Sequence, residues 1–149
     1  MQRFQFPLQR VLEWRRTQLD IEEGKFRQRG EALAAVDRAR AELGAEAVHT
    51  EREVRRWDSV GGADLRALDE YRKHVRAEEA RLAADRAERA RALAAQQADM
   101  LEARRRFRLL ERLKERRLAE WKTACDRELD EIAAESYLAQ WGNAGRRVL

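Results

Sequence analysis

Little in this chain breaks a helix. Its 149 residues include one proline, Pro7, and seven glycines, far fewer breakers than a globular domain of this length usually carries. A single cysteine, Cys125, excludes an internal disulfide and agrees with a reducing compartment. No run approaches the roughly 18 uninterrupted apolar residues of a membrane span. The start, Met1 to Pro7, lacks the apolar block of a secretory signal. These absences lead to the expectation of a cytoplasmic protein. Aromatic residues are also sparse, at 7%.

What is abundant is charge. Charged residues make up 40% of the chain, yet 32 basic side chains against 28 acidic ones leave a net of only +4. Only four of the basic residues are lysines (Lys25, Lys73, Lys114, Lys122). Arginine makes bidentate contacts to carboxylates better than lysine does. The 44% hydrophobic fraction leans on alanine, which supplies little core. Ala, Arg, Glu and Leu all favour helix, so the composition points to an elongated α-helical protein rather than a compact one.

Periodicity gives that helix a seam. Leu12, Leu19, Phe26, Leu33, Arg40, Ala47 and Val54 recur every seven residues, with Leu8, Arg15, Glu22, Arg29, Val36, Leu43, Thr50 and Trp57 as the alternate set. This is the spacing of a left-handed coiled coil. Three successive charges in the second set make the seam weak. Asp58-Ser-Val-Gly-Gly-Ala-Asp64 is turn and N-cap chemistry. A second run follows through Leu68, Val75, Leu82, Leu93, Met100, Ala103, Phe107, Leu110, Trp121 and Ala124. Past Leu110 it drifts toward Leu118, Cys125, Leu129 and Ile132.

The expected fold is all-α, a two-helix antiparallel coiled-coil hairpin with a longer second helix. It forms one elongated domain, 1–149, with helix 1 at about 7–57, a turn at about 58–64, helix 2 at about 65–140 and a tail at 141–149. If Trp57 lies opposite Asp64, paired residue numbers total about 121 and Leu8 faces Leu113. Helix 2 then continues unpaired for roughly 26 residues, or about 40 Å. That arm exposes Leu129, Ile132 and Leu138, which suggests a protein partner or a second copy.

Enzyme signatures are absent: there is no phosphate loop, no His-Glu-x-x-His pair, no CxxC and no nucleophile elbow. His49 and His74 fall on the outer flank of the seam and read as solvated residues; Cys125 reads as a small seam residue. No catalytic, metal or cofactor site is expected. Two charged segments stand out. Arg104, Arg105, Arg106, Arg108, Arg112, Lys114, Arg116 and Arg117 face only Glu111 and Glu115 in sequence, and the register sets them beside Arg3, Arg10, Arg15 and Arg16 as a basic collar. Asp126, Glu128, Asp130, Glu131 and Glu135 then make the arm acidic. A docking surface for an acidic protein rim or for phosphates is one reading; a charged, solvated helix face is the other. The adjoining acidic block disfavours nucleic acid. Trp14, Tyr71, Tyr137 and Trp141 are large aromatics on a polar helix and suit interface anchors; for Trp14 and Tyr71 the other reading is that each lies across the seam edge and covers the partner helix.

Phe4-x-Phe6-Pro-Leu8-x-x-Val11-Leu12-x-x-Arg15-Arg16 opens the chain, and Leu68-Asp-Glu-Tyr71-Arg-Lys-His-Val75 follows the turn. Leu110-Glu-Arg-Leu113-Lys-Glu-Arg-Arg117-Leu-Ala-Glu-Trp121 and Glu128-Leu129-Asp130-Glu131-Ile132-Ala133 come later. In this order, across almost the whole chain, the sequence resembles the FliJ family of flagellar type III export proteins, related in form to secretion-system stalks. The resemblance implies an antiparallel coiled coil similar to the stalk of rotary ATP synthases. Such a protein is non-enzymatic and sits in the ring of the export ATPase FliI. It links that ring to the export-gate protein FlhA and escorts export chaperones.

By position, the resemblance implies gate contacts at Leu68, Tyr71 and Val75. Ring contacts are expected at Arg10, Arg15, Arg16, Arg104, Arg105, Arg106, Arg108, Arg112, Arg116, Arg117, Trp121, Leu129 and Ile132. It implies a cytoplasmic protein, peripheral at the inner face of the membrane, with no nucleic-acid or small-molecule ligand. A virulence-type secretion stalk, or a coiled coil that self-associates through its free arm without an ATPase, remain alternatives.

Overall fold

A computed structural model describes residues 3–146. The fold is all-α, a two-helix hairpin: α1 spans Gln9–Arg55 and α2, much the longer, spans Gly62–Arg146. Among the described residues there is no strand, and no helix is long and apolar enough to cross a membrane.

The ends follow from local chemistry. Pro7 sits in the turn before α1, where its missing N–H costs nothing. The Gln9 amide donates to the Phe6 carbonyl at 3.1 Å and the Leu12 amide to the Leu8 carbonyl at 2.9 Å. At the other end, the Arg56 and Trp57 amides reach back three residues to Glu53 and Val54, at 3.1 and 3.2 Å. This tighter closure satisfies carbonyls the α-ladder leaves open, and Arg52 and Arg55 favour the negative helix end.

The turn falls slightly earlier than the expected 58–64, because α2 already begins at Gly62. Asp64 is the third helical residue rather than the cap. Its Oδ2 accepts the Gly61 amide at 2.9 Å, while the Leu65 amide donates to the Gly61 carbonyl at 3.1 Å. A side chain at this position satisfying the preceding cap amide is half of a capping box. Neither turn glycine has positive φ. At the far end α2 runs through Gly142 to Arg146, past the stop expected near Gln140. Gly142 does not take the left-handed conformation that ends a helix. Residues 147–149 of the expected tail lie outside the described residues.

Contacts gather into two compact units. The first to consider is Leu19–Ala103, which contains the turn and is an antiparallel helix pair. Leu19, Val36, Val75, Leu82 and Met100 are buried along its seam, while Phe26, Leu33, Leu43, Ala47, Val54, Leu68 and Leu93 are half-buried. Register comes from polar links. Thr50 Oγ1 donates to the Tyr71 hydroxyl at 3.3 Å, the expected pairing. Arg72 grips Glu51 bidentately at 2.5 and 2.8 Å, and Arg86 reaches Asp37 at 2.6 Å. Gln96, only 5% exposed, donates through Nε2 to the Glu22 carbonyl at 3.3 Å and also to the Glu22 carboxylate. A satisfied polar residue in a seam fixes register where apolar packing alone tolerates slippage.

The Arg72 guanidinium, hydrogen-bonded to Glu51, holds that carboxyl below its ordinary pKa, and the arginine is raised in return. Arg81 lowers Glu78 in the same way. Asp69 and Glu70 raise Lys73.

Candidate protein-docking site

The second unit comprises Met1–Gln18 and Arg104–Leu149. Its centre is built by a short strap, residues 3–8, before α1. Phe6 is buried together with Leu12 and Phe107. Phe4 lies against Trp121, with ring centroids 5.9 Å apart and planes at 53°, a favourable tilted geometry. The guanidinium of Arg16 stands 5.4 Å over the Phe107 ring, and that of Arg15 stands 4.7 Å over Trp14. Such contacts hold arginines at an aromatic surface.

The strap changes where the arm begins. With Leu8 facing Leu113 and nothing beyond, α2 would be bare from there. Instead Leu118, Trp121 and Cys125 are half-buried. A non-helical segment can cover up to about 3.3 Å per residue against about 1.5 Å for a helix, so the strap residues ahead of the Pro7–Leu8 turn reach past the helical register. Ala124 is exposed, and Cys125 takes the seam position instead. From Asp126 to Ala144 every described residue is exposed. Leu129, Ile132, Tyr137, Leu138 and Trp141 keep 52–71% of their surface open to solvent. The Tyr137 and Trp141 rings lie 6.4 Å apart.

Cations gather around the strap. Arg3, Arg10 and Lys114 line a groove with Phe4, Phe6, Pro7 and Glu13. Arg3 and Arg117 line a second one with Phe4, Glu120 and Trp121. Arg117 is tied to Glu120 at 3.3 Å. Arg3, Arg10 and Lys114 have no acidic partner within 4.0 Å among the described residues. The surface therefore combines positive charge with aromatic area, a composition suited to an acidic protein face. Arg105, Arg106, Arg108, Arg112 and Arg116 are exposed on α2, and Arg104 is half-buried.

No known protein family, curated protein or solved structure matches this chain.

The residues expected to dock thus divide by accessibility. Arg10 and Arg117 meet the strap and Trp121; Leu129 and Ile132 stand apart on the bare arm. In the turn-bearing unit, Val75 is buried at 7% exposure and serves the seam, while Leu68 and Tyr71 keep only a partial edge in solvent. Trp57, Val60 and Leu65, 39–56% exposed, are the open apolar side chains at the turn. Their proximity in sequence to Gly61 and Gly62 was the available clue. His49 and His74 are exposed. Among the described residues no group of three His, Cys, Asp or Glu side chains converges as a metal site.

Proposed function

We propose that this chain is a non-enzymatic stalk of a flagellar type III export apparatus. It docks the ring of an export ATPase through its strap, collar and arm, and an export gate through residues near its turn. The observation that carries this reading is the make-up of the unit holding the chain's start. An aromatic strap closes the helix pair, cations without ion partners surround it, and α2 continues bare and exposed beyond. A helix pair that needs no partner for its own seam, yet leaves large apolar residues uncovered past it, suits an element held inside another assembly.

In this role the arginines steer toward acidic loops of the ring without locking, since exposed ion pairs are individually weak. Leu129 and Ile132 supply apolar contact. Leu68 and Tyr71 offer the gate their exposed edges, and Trp57 and Leu65 extend that surface; Val75 acts only by shaping the seam beneath. The protein works at the cytoplasmic face of the membrane as a peripheral component and escorts export chaperones.

Separate pull-downs with the export ATPase and the gate's cytoplasmic domain test the assignment. Arg104→Glu, Arg105→Glu and Arg106→Glu together should weaken ATPase capture, whereas Trp57→Ala with Leu65→Ala should weaken gate capture alone. Undiminished capture of both partners by both variants, or no capture by the wild type, defeats the proposal.

A further inference from the structure

One face of α2 in the strap-bearing unit is unused by the seam and has an internal symmetry. Counting outward from Ala119, exposed residues recur at the same steps in both directions: four, three, four and three. Toward the N-terminus they are Glu115, Arg112, Arg108 and Arg105. Toward the C-terminus they are Thr123, Asp126, Asp130 and Ala133. Alternating steps of three and four keep these residues on one stripe of a helix. All are exposed, whereas Phe107, Leu110, Lys114, Leu118, Trp121 and Cys125, on the seam side, are buried or half-buried.

The charges on this stripe stand in like-signed pairs. Arg108 and Arg112 are four residues apart, as are Asp126 and Asp130. Like charges at that spacing destabilise a helix. None of the four has an opposite charge within 4.0 Å among the described residues. Glu111 and Glu115 stand three residues after Arg108 and Arg112, and Lys122 and Arg127 four and three residues before Asp126 and Asp130. Among the described residues these do not close into ion pairs, whereas Arg89 does with Asp85 at 3.0 Å and Lys73 with Asp69 at 3.2 Å.

We infer that this stripe is a self-pairing surface, on which the α2 helices of two copies cross antiparallel about a two-fold axis at Ala119. In that register Arg112 faces the other copy's Asp126, and Arg108 its Asp130, so four ion pairs form from groups that make none within each chain. Glu115 meets Thr123, a carboxylate opposite a hydroxyl. Ala119 meets itself, and its small side chain lets the helices approach at the axis. Parallel pairing sets Arg against Arg and Asp against Asp. An unrelated partner would need the same two charge blocks in reversed order, which a second copy supplies by symmetry. The inference is independent of the export reading, although it covers arginines that reading assigns to the ring.

Sedimentation equilibrium of the full chain at about 100 µM tests it. The wild type should dimerise in low salt, with affinity falling at least about tenfold between 50 and 500 mM salt, since the pairs are solvent-screened. Arg108→Asp with Arg112→Asp, and separately Asp126→Arg with Asp130→Arg, should each give a monomer of unchanged helicity. Mixing these two variants should restore a dimer, because each now complements the other. A monomeric wild type at low salt means the stripe serves a different protein or none, and overturns the inference. So does a dimer that survives in either variant alone, or a mixture that stays monomeric while both chains remain helical.

Discussion

Val75→Ala separates a seam residue from a docking residue. Val75 is 7% exposed, so the substitution removes two buried methyl groups. At about 0.8 kcal/mol per buried carbon the transfer term is about 1.6 kcal/mol. A cavity term usually adds to this, but a two-helix seam has solvent on both flanks. Neighbouring side chains or water fill the gap, so the term stays small. The expected loss is about 1.5–2 kcal/mol, or a fall in Tm of about 3–8 °C for a chain of this size. Thermal and urea unfolding followed by circular dichroism at 222 nm read it directly. A Tm within about 1 °C of wild type would refute the packing argument, since a buried valine has no cheap way to lose two methyls. The corollary bears on function. A motility defect in Val75→Ala reports stability first, and the gate surface is tested at Trp57 and Leu65 instead.

Gly24, Gly30 and Gly44 lie inside α1 with negative φ and nothing within 4 Å of an added Cβ. Alanine at each should raise stability by about 0.5–1 kcal/mol, and an unchanged urea midpoint in the triple variant would contradict the helical assignment there. The lowered pKa of Glu51 means that its pairing with Arg72 contributes in full above the ordinary carboxylate pKa and is lost as pH falls through the folded value. Glu51→Gln should therefore flatten the acid limb of stability against pH, and a limb of undiminished slope would show that the pair contributes nothing. Gln96→Leu should raise the urea midpoint but broaden register, detected as extra cross-links between cysteine pairs placed one turn out of step; a single register would mean that Gln96 does not specify it.

Much of the fold was legible because α-helical seams write themselves as spacing. Leu12, Leu19, Val36, Leu82, Met100 and Phe107 are buried where the heptads put them, and the Gly61–Gly62 pair marks the reversal. Other features left no periodic trace. Gln96 occupies a buried position, but a glutamine on a polar helix looks the same whether it meets Glu22 or water. The strap escaped for another reason: a non-helical segment covers a partner without any helical period, so Phe4 on Trp121 leaves no pattern to count. Glycines near 142 promise a stop only if one turns left-handed, and Gly142 does not. At the candidate site, residue type identified the cations but not their company. Arg117 is engaged by Glu120, while Arg10 and Lys114 open onto a groove.

The two proposals make a joint claim that neither makes alone. Arg108 and Arg112 serve the ring in one and the second copy in the other, so the two bound states compete for the same guanidinium groups. Competition of this kind is reciprocal: whatever factor the ring takes from self-pairing, self-pairing takes from ring binding. Substituting the arginines cannot expose this, because it damages both states. Substituting the acids can. Asp126→Arg with Asp130→Arg removes the dimer but leaves every collar arginine in place. At protein concentrations where the wild type is paired, this variant should capture the ATPase more strongly. At high dilution, where wild type is already monomeric, that advantage should vanish. An advantage that persists at dilution would mean the added arginines bind the ring directly; no advantage at any concentration would mean pairing does not shield the collar.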